Sequence, residues 1–375
     1  MILFGLGGAA LLVSILFAVA YFFTRPTQAR RIAKLTSPPS VADIHVLALV
    51  NPISGGRRGV QDWDEIATML RSRGFVVRTA VTQHSGHAKE LMLGLASQQQ
   101  QPDILAIVGG DGFVYEVLNA TGSVPSAALA IVPSGTGNGI ATSLGIRTPL
   151  EAAEALLRGA TKPLDLMRVT RAVQPAADGP THGPTTVAAL SVAWGAIADH
   201  DALVERELRR MPGKLLLVPA YIILAARKYR GRVSFTPHSR QGPLPSTTPH
   251  TRDAASGDIH IDGEFNLVQV CNLPWIATDV CAAPGATPDG GCFGILIMRG
   301  ASRLDLVRMF LAAESGTHTA HAAVELYWAT RATIVPADGP SGLGNLAVDG
   351  ELLPPSRVDI LCEPSAARQV VHRMG

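Results

Sequence analysis

Charge is scarce in this chain of 375 residues: Asp, Glu, Lys and Arg make up 17% of it, and 32 Lys+Arg against 30 Asp+Glu leave a net +2. So neutral a chain is no polyanion specialist, and nucleic acid is not expected as a partner. Cysteine is scarcer still. Cys271, Cys281, Cys292 and Cys362 include no C-x-x-C pair, which excludes a zinc or dithiol redox site and leaves reduced, buried thiols that suit the cytosol. No internal repeat of fixed period is present, which excludes a solenoid or propeller. Two histidine pairs at i, i+3 spacing, His84 with His87 and His318 with His321, have no acidic or Cys partner placed beside them, so no metal is assigned to them.

What the chain has is apolar surface. Hydrophobic residues make up 47%, the mean hydropathy is +0.23, and a wholly disordered protein is excluded. Part of the excess is local, because Met1 to Phe23 carries no charge and is long enough to span a bilayer as one helix. Arg25, Arg30, Arg31 and Lys34 follow with no acidic residue before Asp43, which places the C-terminal side in the cytosol. No Lys or Arg precedes the apolar run, so it reads as an anchor rather than a cleaved signal ending near Ala18-Val19-Ala20. The expected location is a membrane, with a single-pass N-terminal anchor over residues 1–24 and cytosolic domains after it. Residues 25–40 hold three prolines and four basic residues without periodicity and read as a tether.

From 41 to 160 short apolar runs (Ile44 to Val50, Gly74 to Val81, Ile104 to Val108, Ala127 to Val132) alternate with helix-like stretches. That pattern predicts a three-layer α/β domain of Rossmann-like type, with a mainly parallel sheet and ligands at the carboxyl ends of its strands. From 161 to 375 the texture is β-rich, with strand-like segments at Ala188 to Ala193, Glu264 to Cys271, Phe293 to Met298 and Ala332 to Val335, and a second, sandwich-like domain is expected. Segments 172–186 and 236–258 are dominated by Pro, Gly, Ser, Thr and Ala and read as disordered loops. Ser302 with Asp305 makes a capping-box-like start and Gly316 a stop, predicting a helix between them.

Three glycine-rich loops each follow a strand of the first domain. Asn51-Pro52-Ile53-Ser54-Gly55-Gly56-Arg57-Arg58-Gly59 offers backbone N–H groups and positive charge to phosphate. Val108-Gly109-Gly110-Asp111-Gly112-Phe113 sets an acid among glycines, with Glu116 and Asn119 on one face of the helix expected after it. Asp111 there reads either as the base that takes a proton from a phosphoryl-acceptor hydroxyl or as a cap of that helix. Val132-Pro133-Ser134-Gly135-Thr136-Gly137-Asn138-Gly139 offers amides and two hydroxyls, yet no Lys-Ser/Thr follows and Ile140 takes the last glycine position of G-x-G-x-x-G. It is therefore neither a P-loop nor a dinucleotide fingerprint. Between Leu203 and Arg232 eight basic residues face two acidic ones, so phosphate or anionic lipid is expected nearby.

In order and spacing the loops resemble the signatures N-P-x-[SG]-G, G-G-D-G and P-x-G-[TS]-G-N of the lipid kinases that act on diacylglycerol, sphingosine and ceramide. The second half resembles the sphingosine kinases of that family. The carrying residues are Ser191-Val192-Ala193-Trp194-Gly195-Ala196-Ile197-Ala198-Asp199-His200-Asp201, Lys228-Tyr229-Arg230-Gly231-Arg232, Cys281-Ala282-Ala283-Pro284, Arg303 to His318, and Val348-Asp349-Gly350-Glu351. Ala196 departs from the family's aromatic, and Phe113 stands where the family has Thr or an aliphatic residue.

The resemblance implies an ATP-dependent, Mg²⁺-requiring kinase for the primary hydroxyl of sphingosine or a related long-chain base, with Asp111 as general base. It places Asn51, Pro52, Ile53, Ser54, Thr82, His87, Gly109, Glu116, Gly135, Thr136 and Gly137 around the nucleotide, and Arg209 and Lys214 on its phosphates. Asp349 and Glu351 would close the site, with Mg²⁺ near Asp111 and Asp349 and no direct metal ligand assigned. Gly109, Gly110, Asp111 and Gly112 would border the lipid, Asp201 would meet its amine, and Ile197, Leu306, Phe310 and His318 would line its tail. The alternatives are a diacylglycerol or ceramide kinase and an inactive, membrane-tethered nucleotide-binding scaffold. Oligomeric state, a homodimer included, is left open.

Overall fold

The structure, a computed structural model, describes residues 44–96, 101–172, 182–203, 227–244, 249–338 and 342–372. The expected anchor at 1–24 and tether at 25–40 lie outside them. No helix among the described residues is long and apolar enough to cross a membrane.

The first strands are the apolar runs read from the sequence. β1 (His45–Val50), β2 (Val76–Val81), β3 (Ile104–Gly109) and β4 (Ala128–Pro133) are parallel and lie in the order β2, β1, β3, β4. Every residue of β3 and β4 is buried, as expected for strands covered on both faces, whereas β2 at the sheet edge is mostly exposed. The covering helices are α1 (Gly59–Ser72), α2 (His87–Ala96), α3 (Asp111–Leu118), the short α4 (Gly139–Ser143) and α5 (Pro149–Arg158). α1 buries Trp63, Ile66, Ala67 and Leu70, the i, i+3, i+4, i+7 stripe of an amphipathic helix, and Trp63 Nε1 donates to Thr79 Oγ1 at 2.9 Å. α5 opens on a Thr148/Glu151 capping box with Pro149 at its first position and stops at Gly159, where φ is +64°. α1 packs beside α5 and α2 beside α3, the pairing that right-handed crossovers impose on the two faces of a parallel sheet.

The order in which strands are added to the sheet reverses between β1 and β3. The connection from β1 leads outward to β2, and the next returns across β1 to β3. Ligands of open α/β sheets bind at such a switch point, beyond the carboxyl ends of the strands.

The rest of the chain is β-rich: β5 (Thr161–Ala172), β6 (His182–Ala188), β7 (Ser191–Gly195), α6 (Ala196–Leu203), β8 (Tyr229–Pro237), β9 (Thr251–Arg252), β10 (Ile259–Phe265), β11 (Leu267–Cys271), β12 (Trp275–Ala277), β13 (Val280–Cys281), β14 (Phe293–Met298), α7 (Arg303–Ala313), β15 (Val324–Ala337), β16 (Leu346–Val348), β17 (Glu351–Leu353) and β18 (Val358–Val370). α7 begins with the predicted Ser302/Asp305 capping box. β18 joins the halves. It runs antiparallel to β5 and to part of β15, and near its end Gln369 pairs with Leu129 of β4 in parallel. Its bulge between Glu363 and Ala367, with Ser365 at φ +54°, is held by buried Asp165, whose Oδ1 accepts the Ser365 N–H at 2.7 Å. Around Trp194, Tyr229 and Phe265 lies the main core of this half, with the Trp194 ring centroid 5.6 Å from that of Phe265 and 6.1 Å from that of Tyr229.

The two segments read as disordered loops need correction. β5 extends through Ala172, and His182 to Thr186 belong to β6, where Thr185 pairs with Thr170 and Thr186 with Val169. β8 takes Thr236 and Pro237, and β9 takes Thr251 and Arg252. A neighbouring antiparallel strand satisfies the backbone of a polar segment, so low apolar content does not keep it from forming a strand. Residues 173–181 and 245–248 lie outside the described set.

Candidate active site

The three glycine loops and the turn after β2 converge at the carboxyl ends of β1 to β4 around a cavity of about 850 Å³. Two glycines bring the second and third loops together. A Cβ on Gly135 would stand 2.4 Å from the Gly110 Cα, and one on Gly110 would stand 3.1 Å from the Gly135 Cα, so the two backbones touch where only glycine fits. The first loop is pinned similarly: Gly55, at φ +52°, would place a Cβ 1.8 Å from the Ser134 carbonyl oxygen. Asn138, left-handed at φ +49°, closes the third loop, accepting the Gly135 N–H at 2.9 Å and donating to the Gly135 carbonyl at 2.8 Å.

Asp111 opens α3 and lines the cavity. Its Oδ2 accepts the Gly139 N–H at 2.8 Å and its Oδ1 the Ile140 N–H at 3.0 Å. The helix it caps is thus α4, not the α3 it begins. Each oxygen keeps a lone pair beyond the amide bond. Burial pushes the carboxyl above its ordinary value of 3.8, against the Ile140 and Gly139 amides, which pull it down. Glu351 reaches the same region from β17: a Cβ on Gly112 would meet its Oε1 at 3.1 Å. Glu116, one helical turn further along α3, accepts the Gly86 N–H at 3.1 Å and ties the turn after β2 to α3.

Asp201 lines the cavity from α6, with Oδ1 3.4 Å from His200 Nδ1. The helix is anchored two residues earlier by buried Asp199, which accepts the Tyr229 hydroxyl, the Asn345 N–H at 3.2 Å and Asn345 Nδ2 at 2.7 Å.

Of the residues expected at the site, Asn51, Pro52, Ile53, Ser54, Thr82, Gly110, Asp111, Gly112, Glu116, Gly135, Thr136, Gly137, Asp201 and Glu351 face this cavity. Gly109 lies behind it in β3, under the Phe113 ring, which a Cβ would meet at 2.7 Å. His87 also stands behind the wall, its Nδ1 accepting the Gln83 N–H at 3.0 Å. Arg209 and Lys214 lie outside the described residues.

Asp349 is not on the wall, contrary to expectation. It is buried at φ +50°, and its carboxylate accepts the N–H groups of Ala189, Leu190 and Ser191 at 2.8–2.9 Å. Burial, with the Asp111 charge adding to it, pushes this carboxyl up to about 7 against those three amides. Its place is the junction between the hairpin of β16 and β17 and the turn before β7, from which Glu351 is presented.

Ile197, Leu306 and Phe310 share one apolar cluster with Met298, Met309 and Val324. His318 lies in the turn Thr317–Ala320, which packs against α7, the helix that carries Leu306 and Phe310. It is buried, with Nε2 3.1 Å from the Ala282 carbonyl oxygen, and burial holds its imidazole below the ordinary value of 6.5.

Gln83, His84 and Ser85 also line the cavity, and sequence reasoning missed them. Their one signal is position, directly after a parallel strand. Among the described lining residues four are carboxylates and none is Lys or Arg. Hard carboxylate oxygens suit Mg²⁺. Among the described residues no three His, Cys, Asp or Glu side chains gather in a group that could hold a metal ion.

Residues 45–169 match the diacylglycerol kinase catalytic domain, and residues 250–371 match the YegS C-terminal NAD kinase beta sandwich-like domain. The chain is similar to human sphingosine kinase 1, 29% identical over 339 residues covering 82% of this chain and 86% of that protein. It is also similar to the diacylglycerol kinase of Mycobacterium tuberculosis, 27% identical over 332 residues covering 88% and 96%. Its fold resembles that of a diacylglycerol kinase from Bacillus anthracis, with a TM-score of 0.60 at 16% identity over 88% of this chain and 97% of that one. With both domains matched, in the order and on the glycine loops that build the cavity, the chain belongs to the lipid kinases that carry the diacylglycerol kinase catalytic domain.

Proposed function

We propose that the protein transfers the γ-phosphoryl group of ATP to the primary hydroxyl of sphingosine or a related long-chain base. The observation that carries this reading is the pairing of two acids on one cavity, Asp111 at the glycine loops and Asp201 on α6. ATP enters over the loops after β1, β3 and β4, whose glycines admit its phosphates to backbone N–H groups. The lipid hydroxyl points at Asp111. As its oxygen bonds to the γ-phosphorus and the bond to the β-phosphate oxygen breaks, the proton passes to an Asp111 oxygen and ADP leaves. The Gly139 and Ile140 amides hold that carboxylate in place, and burial raises its basicity. Glu351 and Asp111 are the carboxylates that would hold Mg²⁺, which would supply charge neutralisation of the phosphates.

Asp201 pairs with the ammonium of the long-chain base. The tail follows the cluster of Ile197, Leu306 and Phe310. The segment 1–24 anchors the enzyme at the membrane where such lipids reside, with the catalytic domains in the cytosol. A second reading, diacylglycerol as acceptor, draws support from the similarity to the mycobacterial diacylglycerol kinase. Radiolabel transfer from ATP by the full chain to sphingosine, ceramide and diacylglycerol in parallel micelles separates them. Label in sphingosine alone supports the first reading; label in diacylglycerol alone replaces it.

A further inference from the structure

The two amides that hold Asp111 belong to α4, a helix of 5 residues. So short a helix does not persist on its own hydrogen bonds. What holds it comes from the other half of the chain, where β12 lies against it. At the start of α4, Asn138 forms an antiparallel bridge with Ala277. The next residue, Gly139, is pressed on the same strand: a Cβ there would stand 2.6 Å from the Ile276 carbonyl carbon and 2.9 Å from the Trp275 carbonyl oxygen. At the end of α4, Ser143 Oγ accepts the Trp275 N–H at 3.0 Å and donates to the Trp275 carbonyl oxygen at 3.2 Å. One hydroxyl thus serves both backbone groups of a residue 132 positions away. Just beyond, the Arg147 guanidinium lies 5.5 Å from the centroid of the Trp275 ring.

We propose that Ser143 is a positioning residue for Asp111, fixing α4 on β12 so that the Gly139 and Ile140 N–H groups stay aimed at the carboxylate. The role in catalysis rests on reading Asp111 as the base. The two amides are consecutive in the chain, one on each carboxylate oxygen, so any turn of α4 moves both at once. Contact with the Ile276 carbonyl stops α4 from closing on β12, and the Ser143 hydroxyl stops it from lifting away. Of these two restraints only the hydroxyl is a side chain that a substitution can remove. Burial raises the Asp111 carboxyl and the amides lower it. Loosened amides leave burial less opposed, so the carboxyl rises further and the base loses activity at a higher pH. The other acids near Asp111 are Glu116, Asp201 and Glu351 on the cavity wall and buried Asp349, and none of them stands on α4 or β12.

The test compares the full-length wild type with Ser143→Ala and Ser143→Thr, by hydrogen exchange at the Gly139 and Ile140 amides and by the pH–rate profile of labelled-ATP transfer to sphingosine. In Ser143→Ala the two amides should exchange about three- to tenfold faster and kcat should fall by a similar factor, the size of one hydrogen bond, with KM for ATP kept within about twofold. The acid limb of kcat/KM should move up by about 0.5–1 pH unit, the share of one amide bond to a carboxylate. Ser143→Thr, which keeps the hydroxyl, should restore all three. Thr148→Ala removes the cap of α5 and serves as a control of similar stability loss, which should leave the acid limb in place. Wild-type exchange at Gly139 and Ile140 in Ser143→Ala, or an acid limb that stays put there or moves equally in Thr148→Ala, would overturn the proposal. A wild type that labels no acceptor would overturn the kinase reading instead, and the exchange rates would still decide whether Ser143 holds α4.

Discussion

Asp111 Oδ2 accepts the backbone N–H of Gly139 at 2.8 Å, across 28 residues of chain. The acid of the second glycine loop is therefore seated on the first residue of the helix behind the third. Base and cap, two readings of one side chain in the sequence, coexist here, because a carboxylate oxygen that accepts one amide still has a lone pair for a substrate proton.

Asp111→Asn should reduce phosphoryl transfer by about 10²- to 10⁴-fold. An amide still accepts one of the two N–H bonds but takes no proton at neutral pH. Labelled-ATP binding should persist, which separates loss of the base from collapse of the third loop. Transfer at the wild-type rate would remove Asp111 from the role of base.

Because burial raises the Asp111 carboxyl, activity should fail on the acid side at a pH above the ordinary carboxylate range. The sign follows from the chemistry: the base acts when ionised, so kcat/KM for the lipid rises with pH and levels off once Asp111 has lost its proton. A pH–rate profile with its acid limb at about 4, the ordinary range, would contradict this.

Asp201→Asn should raise KM for sphingosine more than tenfold and leave any diacylglycerol turnover unaffected, since a neutral acceptor presents no ammonium to lose. A charge-assisted contact in a cavity is worth about 1.5–3 kcal/mol. Equal effects on both acceptors, read from competing-substrate assays, would contradict the role given to it.

Gly135→Ala should destabilise the protein by about 1–3 kcal/mol and weaken nucleotide binding, because the added methyl overlaps the Gly110 backbone rather than a side chain that can turn away. Gly122→Ala meets nothing within 4 Å, but φ there is +74°, so it reports backbone strain without overlap. Denaturant unfolding of both, with ATP binding, checks the distinction: Gly122→Ala should lose stability and keep ATP affinity.

Asp349 reports on stability rather than rate. Its folded value near 7 lies above the ordinary 3.8, so between these values the folded protein holds a proton that the unfolded chain has released. Its stabilisation is complete below about pH 4 and is lost as pH rises through about 7, at about 1.4 kcal/mol per pH unit. Asp349→Asn should flatten the fall in melting temperature across that window. An identical slope in wild type and variant would exclude this titration.

The α/β architecture was legible because β3 and β4 are buried on both faces and β1 mostly so, and such strands read as apolar runs, a signal that needs no partner to be seen. Asp111 and the glycines were legible for a related reason. Steric contact of Gly110 with Gly135 admits no other residue, and such a demand is written at each position separately. Asp349 was misplaced because an acid beside a glycine looks alike whether it faces a ligand or three backbone amides. His84 was weighed in the sequence as half of an i, i+3 pair with His87, and that spacing carries no signal of a place on the cavity wall.

By itself the sequence determined which segments could be strands, where the chain must turn tightly, and which acids stand among glycines, for these follow from local sterics and from the periodicity of burial. Only the tertiary structure decided that Asp111 is held by α4, that Asp199 is bonded to Tyr229 and Asn345, that Asp349 serves the backbone, and that β18 carries one half of the protein onto the other. Those pairings join residues as far apart as Leu129 and Gln369, and hydrogen-bond partners at such separation are chosen by how the layers pack, which no local pattern encodes.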